Sequence, residues 1–231
     1  MKKIITLLMV SMLVMFSFAA CGSSQETAED QNTTAEEQTQ TEETETSDAP
    51  EAASGDVLIL YFSAANMTDA DAVTGATPMG DADGTTGWMA QVIQEQTGGE
   101  AVPITASEAY PADYNDTADK AKDEADNDAR PAYEPLDIDP TQYSTVFIGY
   151  PIWWYQMPMV MYTFFDDYDF DGVTIVPFNT HEGSGDGGTY DDIRTLEPNA
   201  NVLDGFALRG GKAGDDSARD DIIQWINGLG L

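Results

Sequence analysis

"STVFIGYPIWWYQMP", Ser144 to Pro158, joins a strand to a loop within one short stretch. After Ser144 and Thr145 the run to Tyr150 is without a charged or strongly polar residue, as a strand covered on both faces requires. Pro151 and Pro158 then bracket a segment through which neither a helix nor a central strand continues easily. Between the prolines stand Trp153, Trp154 and Tyr155. Three consecutive large aromatics cannot all point into a core. Core packing, a protein or carbohydrate contact patch and a platform for a flat heteroaromatic ring all stay open on this stretch alone.

Outward from this strand, apolar runs alternate with amphipathic ones, which predicts repeated βα units and a mostly parallel sheet. Strands are expected at Asp56 to Phe62, Glu100 to Ile104, Ser144 to Tyr150, Gly172 to Phe178 and Asn201 to Leu208. Helices are expected over Thr86 to Gly99, closed by Gly98, near Asp113 to Asn127, through "MVMYTFFDDY" with Pro158 at its first turn, and from about Ser217 to Asn227. The alternation gives five strands and five helices, four of the helices being those just placed. In an open sheet of this kind ligands bind beyond the carboxyl ends of the strands, where the strand order reverses.

Three loops leave such ends with unusual chemistry. The first, Ser63 to Gly87, is long and rich in Gly, Ser, Thr and Asn. Its end, "GTTG", enters a helix whose free N–H groups and hydroxyls suit an anion such as a phosphate monoester. A plain N-cap by Thr85 or Thr86 explains the same residues. The second loop is the aromatic one. The third, "NTHEGSGDGGTY" from Asn179 to Tyr190, carries four glycines that permit close backbone approach to a ligand, and His181 offers a donor for a ligand carbonyl. A further stretch, "DYDFDG" from Asp167 to Gly172, has the Asp spacing and glycine of a calcium loop. Its twelfth position is Phe178 where such a loop needs a bidentate Glu, so a polar turn into a strand is expected.

The ends and the composition restrict function. Lys2 and Lys3 precede an apolar run from Ile4 to Phe18 that ends in small residues and Cys21, the pattern of a secretory leader over residues 1–20. "FAAC", Phe18 to Cys21, is similar to a bacterial lipobox, which implies a lipidated Cys21. From Gly22 to Gly55 the chain holds no aromatic residue and no Lys or Arg, so residues 21–55 read as an acidic tether to a single domain over 56–231. Without Lys2 and Lys3, seven basic residues stand against 42 acidic ones, a net charge of −35. Nucleic acid and anionic membrane surfaces are excluded as partners on that balance, leaving the lipid as the membrane contact. One Cys and one His rule out a structural disulfide, a cysteine-ligated cluster and a His-rich zinc site, so any redox role needs an organic cofactor.

Over Val57 to Leu231 the chain resembles the flavodoxin-like proteins, specifically a secreted lipoprotein branch with a tethered domain. The resemblance lies in "LILYFS", "GTTGWMAQVIQEQTGGE", "YPADYNDTADKAKDEADNDARP", "VFIGYPIWWYQMP" and the glycine-rich loop after "TIVPFNTH". It implies a doubly wound α/β fold, with an open parallel five-stranded sheet in the order 2-1-3-4-5, and an FMN site at the strand ends, the arrangement for which flavodoxin is itself the standard example. Carried onto matching positions, Ser63, Asn66, Thr85 and Thr86 would hold the phosphate. Pro151, Ile152, Trp153, Trp154 and Tyr155 would line the isoalloxazine, and Thr180, His181, Gly183, Ser184 and Gly185 would close its other side. The common phosphate loop has its threonines immediately after the Ser, whereas "AANM" follows Ser63 here and the threonines come only after an insertion. The function implied is electron transfer or flavin-dependent reduction of a small acceptor, with a redox donor and acceptor as partners. Two other functions fit the same residues: a binding module for another planar or phosphorylated ligand, and an adhesion or scaffold lipoprotein.

Overall fold

The computed structural model describes residues 57–63 and 84–231; the leader, Cys21, the tether and Asn66 lie outside the described residues. In chain order the elements are β1 (Val57–Phe62), α1 (Gly84–Thr97), β2 (Glu100–Ile104), α2 (Tyr114–Asp126), β3 (Thr145–Pro151), α3 (Met159–Asp167), β4 (Thr174–His181), α4 (Thr189–Leu196), β5 (Asn201–Val202), β6 (Phe206–Arg209) and α5 (Asp216–Gly228). The strands pair in parallel in the order β2-β1-β3-β4-β5, and β6 also pairs with β4. This is the expected doubly wound order.

Alternation along the strands divides the core between the two faces. Leu58, Leu60 and Phe62 of β1, with Val146, Ile148 and Tyr150 of β3, pack with Val160, Phe164 and Phe165 of α3 and Ile193 of α4. Ile59, Phe147, Val176 and Phe178 pack on the other face with Met89 and Ile93 of α1 and Ala218, Ile222 and Ile226 of α5. Covered on both sides, β3 is buried along its whole length, which is why its sequence is a run and not an alternation. Gly149 is required at its place: a Cβ there would stand 2.1 Å from Cζ of Phe178, so the missing side chain makes the room that the Phe178 ring fills.

Three expectations are corrected. The fifth strand is broken in two, giving six strands instead of five. Val202 pairs with Ile175, but Phe206 pairs with Phe178, so one extra residue is accommodated between them. The break lies opposite Pro177, which has no N–H to give to a ladder, and Gly205 there approaches the Pro177 carbonyl so closely that a Cβ would lie 2.5 Å from its oxygen. Second, α1 includes Gly84, so Thr85 and Thr86 stand inside its first turn and not at an N-cap. Third, Pro158 immediately precedes α3 and is not within its first turn. The polar segment after α3 turns as its chemistry predicts: the Asp169 carboxylate accepts the Asp171 N–H, Glu197 accepts the Phe170 N–H, and Phe178 is buried in β4.

Candidate functional site

The carboxyl ends of β3 and β4 lie side by side, Pro151 opposite Thr180, and the ladder runs one bond further, the Ile152 N–H donating to the Thr180 carbonyl at 2.8 Å. Two loops leave from this point. In the first, Trp153 and Gln156 exchange both backbone hydrogen bonds, at 3.0 and 3.1 Å, which closes a two-residue hairpin with Trp154 and Tyr155 at its tip. Both tip residues have positive φ, 52° and 64°. A tight hairpin of this kind demands that geometry and ordinarily uses Asn and Gly to obtain it. Bulky aromatics there are strained, of order 1 kcal/mol or more each, and such strain concentrates at ligand sites.

The three aromatics have separate environments. Trp153 packs edge-on against Phe62 and Tyr110, with centroids 5.6 and 5.0 Å away, and so is anchored in the core while reaching the surface. Trp154 is 51% exposed, and its Nε1–H donates to the Ala118 carbonyl of α2 at 2.9 Å. Tyr155 is 74% exposed.

Beyond β4 the glycine loop is held from beneath. Asn179 is buried; its Nδ2 donates to the Gly185 carbonyl at 3.1 Å and its Oδ1 accepts the Tyr190 hydroxyl at 2.5 Å. The Tyr150 hydroxyl donates to Thr189 Oγ1 at 2.9 Å, and burial pushes the Tyr150 and Tyr190 hydroxyls above their usual range, so both stay protonated. Gly187, at φ 63°, runs against the Tyr155 carbonyl, where a Cβ would lie 3.0 Å from the oxygen. The two loops therefore brace each other. His181 Nδ1 accepts the Gly183 N–H at 2.9 Å, which leaves the proton of the neutral ring on Nε2. Burial first, and the Arg209 charge second, lower its pKa, so the ring is neutral at neutral pH. Glu182, whose pKa burial raises, sits 3.8 Å from Arg209.

Between these loops and α2 lies a cavity of about 520 Å³. Of the residues expected at a ligand, Ile152, Trp153, Trp154, Tyr155, Thr180, His181, Gly183 and Ser184 line it together. Pro151 does not; it is buried in β3. Gly185 does not line it either and serves through its carbonyl on Asn179. Ser63, Thr85 and Thr86 do not line it: Ser63 follows β1, and Thr85 and Thr86 are buried in the first turn of α1, where Thr86 Oγ1 lies 2.9 Å from Thr180 Oγ1. That bond ties the α1 end of the site to the cavity wall.

The fourth wall was missed in the sequence. Tyr114, Thr117, Ala118 and Ala121 of α2 line the cavity, as does Glu182. Their spacing of i, i+3, i+4 and i+7 marks one helical face, a signal that the surrounding acidic residues obscured. A second pattern joins the site to the charge balance. Each of the seven Lys and Arg residues beyond the leader is ion-paired with a carboxylate: Lys120, Lys122, Arg130, Arg194, Arg209, Lys212 and Arg219.

Against known proteins, residues 56–229 match the family described as Flavodoxin. Among solved structures, the chain is 27% identical to a protein of Bacteroides eggerthii described as a flavoprotein, covering 76% of this chain and 98% of that one with a TM-score of 0.59. A protein of Bacteroides uniformis with the same description is 28% identical over 75% and 98%, at a TM-score of 0.58. A Lactobacillus acidophilus flavoprotein solved in complex with FMN shares the fold at 22% identity over 71% and 99%, with a TM-score of 0.51. No curated protein matches the chain.

The strained tip yields a prediction. Tyr155→Gly removes a side chain that is mostly in water and relieves a left-handed backbone that costs an L-residue roughly 1–2 kcal/mol, less the entropy glycine loses. Urea denaturation is expected to show a gain of about 0.5–1 kcal/mol, whereas a lower midpoint would mean that contacts of the Tyr155 side chain, and not an outside demand, hold the turn.

Proposed function

The chain belongs to the flavodoxin family, and on that premise we propose that it binds FMN in the cavity beyond β3 and β4 and works in electron transfer or in reduction of a small acceptor. The observation that carries this reading is the cavity itself: its volume lies in the range of small-molecule sites, and it brings an aromatic hairpin tip against a glycine-bearing backbone. The FMN complex of the Lactobacillus acidophilus protein lends support from the same fold.

The residues present fit the cofactor's chemistry. For the ring there are the aromatic faces of the 153–155 segment, the Thr180 to Ser184 backbone and the Nε2–H of a neutral His181, able to donate to a ring carbonyl. For the phosphate there are the first turn of α1 with Thr85 and Thr86, and Ser63 just after β1. Every basic residue of the domain is already engaged with a carboxylate, so the phosphate would be held by N–H and hydroxyl groups and not by a cation. Bound flavin supplies the electron-transfer chemistry; the protein's part is to orient the ring, fix the hydrogen bonds around it and set its potential.

Quenching of FMN fluorescence by the apoprotein tests the reading. We expect saturable quenching, weakened by Trp154→Ala by on the order of 1 kcal/mol or more through lost stacking. Trp154 is the informative position, since Trp153 also packs against Phe62 and Tyr110 and its loss would disturb the core. No quenching, or a Trp154→Ala variant with unchanged affinity, would sink this placement of the ring.

The same proposal puts the domain outside the cytoplasm, tethered through residues 22–55 to a lipid on Cys21. No helix among the described residues is long and apolar enough to cross a membrane. Cys21→Ser is accordingly expected to move the protein from the membrane fraction to the medium, since stable anchoring by lipid requires the acyl chains. Full retention of the variant in membranes would contradict the anchor.

A further inference from the structure

His181 is the one histidine of the chain, and it stands where the glycine loop leaves β4. Its two ring nitrogens have separate tasks. Nε2 carries the proton of the neutral ring, while Nδ1 accepts the Gly183 N–H at 2.9 Å. Gly183 has φ 141°, a backbone that glycine enters and leaves at little cost, so the acceptor and not the chain decides where this peptide points. Asn179 holds the far part of the loop at Gly185 from beneath. The near part is held by the imidazole and by the ion pair of Glu182 with Arg209, an exposed contact that contributes little. His181, Gly183 and Ser184 all stand in the cavity wall.

A second proton reverses the Nδ1 contact. The charged imidazole donates from both nitrogens, so an Nδ1–H would face the Gly183 N–H, two donors with no acceptor between them. The Nε2 side is unaffected, since it donates in either state. Gly183 must then turn away or keep a donor without a partner, and an unmet donor in a half-buried wall is costly.

The charged groups around the ring act in opposite directions. Arg209 of β6, which stands opposite His181 in the ladder, opposes the second proton, and Asp186 of the same loop favours it. Glu182 is paired to Arg209, and α2 and the aromatic hairpin bring the phenols of Tyr114 and Tyr155 to the same cavity. Burial and then Arg209 prevail and lower the His181 pKa, so the loop as folded favours the neutral ring. A group lowered in this way holds fully above the ordinary histidine value of about 6.5, and its hold is lost as pH falls below that value. We propose that His181 is a positioning residue of the flavin site: its unprotonated Nδ1 holds Gly183, and with it the wall that faces the ring, so that acid loosens the flavin. The proposal rests on the reading that the strand-end loops hold the flavin ring.

A direct contact alone gives the opposite sign. If His181 served only by donating its Nε2–H to a ring carbonyl, a positive charge would strengthen that bond and acid would tighten binding. FMN titrations of the full chain, produced without a histidine tag, at about pH 7.5 and about pH 5 separate the two. The reference is His181→Asn, whose Oδ1 can take the Gly183 N–H but does not titrate. The FMN phosphate titrates in this range against both proteins and cancels in their ratio. We expect the FMN dissociation constant of the unsubstituted protein, relative to that of His181→Asn, to rise about fivefold between the higher and the lower pH, the worth of one hydrogen bond. NMR of the apoprotein reads the same contact without flavin: the Gly183 amide proton is expected to shift with the titration of the single histidine ring and to stay in place in His181→Asn. A ratio that is flat or falls, or a Gly183 amide that ignores the titration of the ring, would overturn the positioning role. Failure of every form to take up FMN at either pH would instead sink the flavin reading, and the positioning role would fall with it whatever the amide showed.

Discussion

One hydrogen bond organises the site: the Ile152 N–H to the Thr180 carbonyl, the last rung of the β3–β4 ladder. It continues the pairing of Pro151 with Thr180 one residue past the strand and fixes where both loops begin. The aromatic hairpin rises from one side of it and the glycine loop from the other. Thr180 also meets Thr86 through its side chain, so the α1 turn is positioned from the same residue. Parallel strands alone give a crevice; this bond gives the crevice two walls at a fixed separation.

The walls are then stiffened in different ways. Buried polar groups hold the glycine loop, with Asn179 satisfied by Gly185 and Tyr190, and Tyr150 paired with Thr189. In a buried setting such bonds are costly to leave unmade, so the loop has little freedom despite its glycines. The hairpin is held by the opposite logic. Its tip residues are the wrong ones for their backbone, and Trp153 in the core, Trp154 on Ala118 and the backbone contact with Gly187 keep it in place. The cost of that geometry is explained by a demand for aromatic surface at this point. The ion-pairing of every Lys and Arg in the domain is part of the same design, since it leaves a cavity with dipoles and rings but no free cation.

The alternation of strands and helices was legible because most strands are clear apolar runs set between amphipathic stretches, whereas the strand order came only from the resemblance. What the sequence concealed has a local cause in each case. The break between β5 and β6 depends on Pro177 in the neighbouring strand, which no reading of Asn201 to Leu208 alone contains. The aromatic stretch announced a site, but not that Trp153 would turn to Phe62 and Tyr110 while its two neighbours stay outside. Asn179 and Tyr190 act from beneath the loop, where only the fold brings them together. The α2 face was visible in principle at Tyr114, Thr117, Ala118 and Ala121, yet its residues are small and its flanks are acidic, so its charge spoke louder than its periodicity.

Whether a flavin ring lies between the hairpin and the glycine loop is measured directly by a crystal structure of the protein grown with FMN. Ring density is expected against Trp154 and Tyr155 on one side and residues 180–184 on the other, with the phosphate towards the first turn of α1 and no Lys or Arg within hydrogen-bond distance of it. A ring bound elsewhere, a phosphate held by Arg209 or Lys212, or crystals that stay colourless with an empty cavity would contradict that placement.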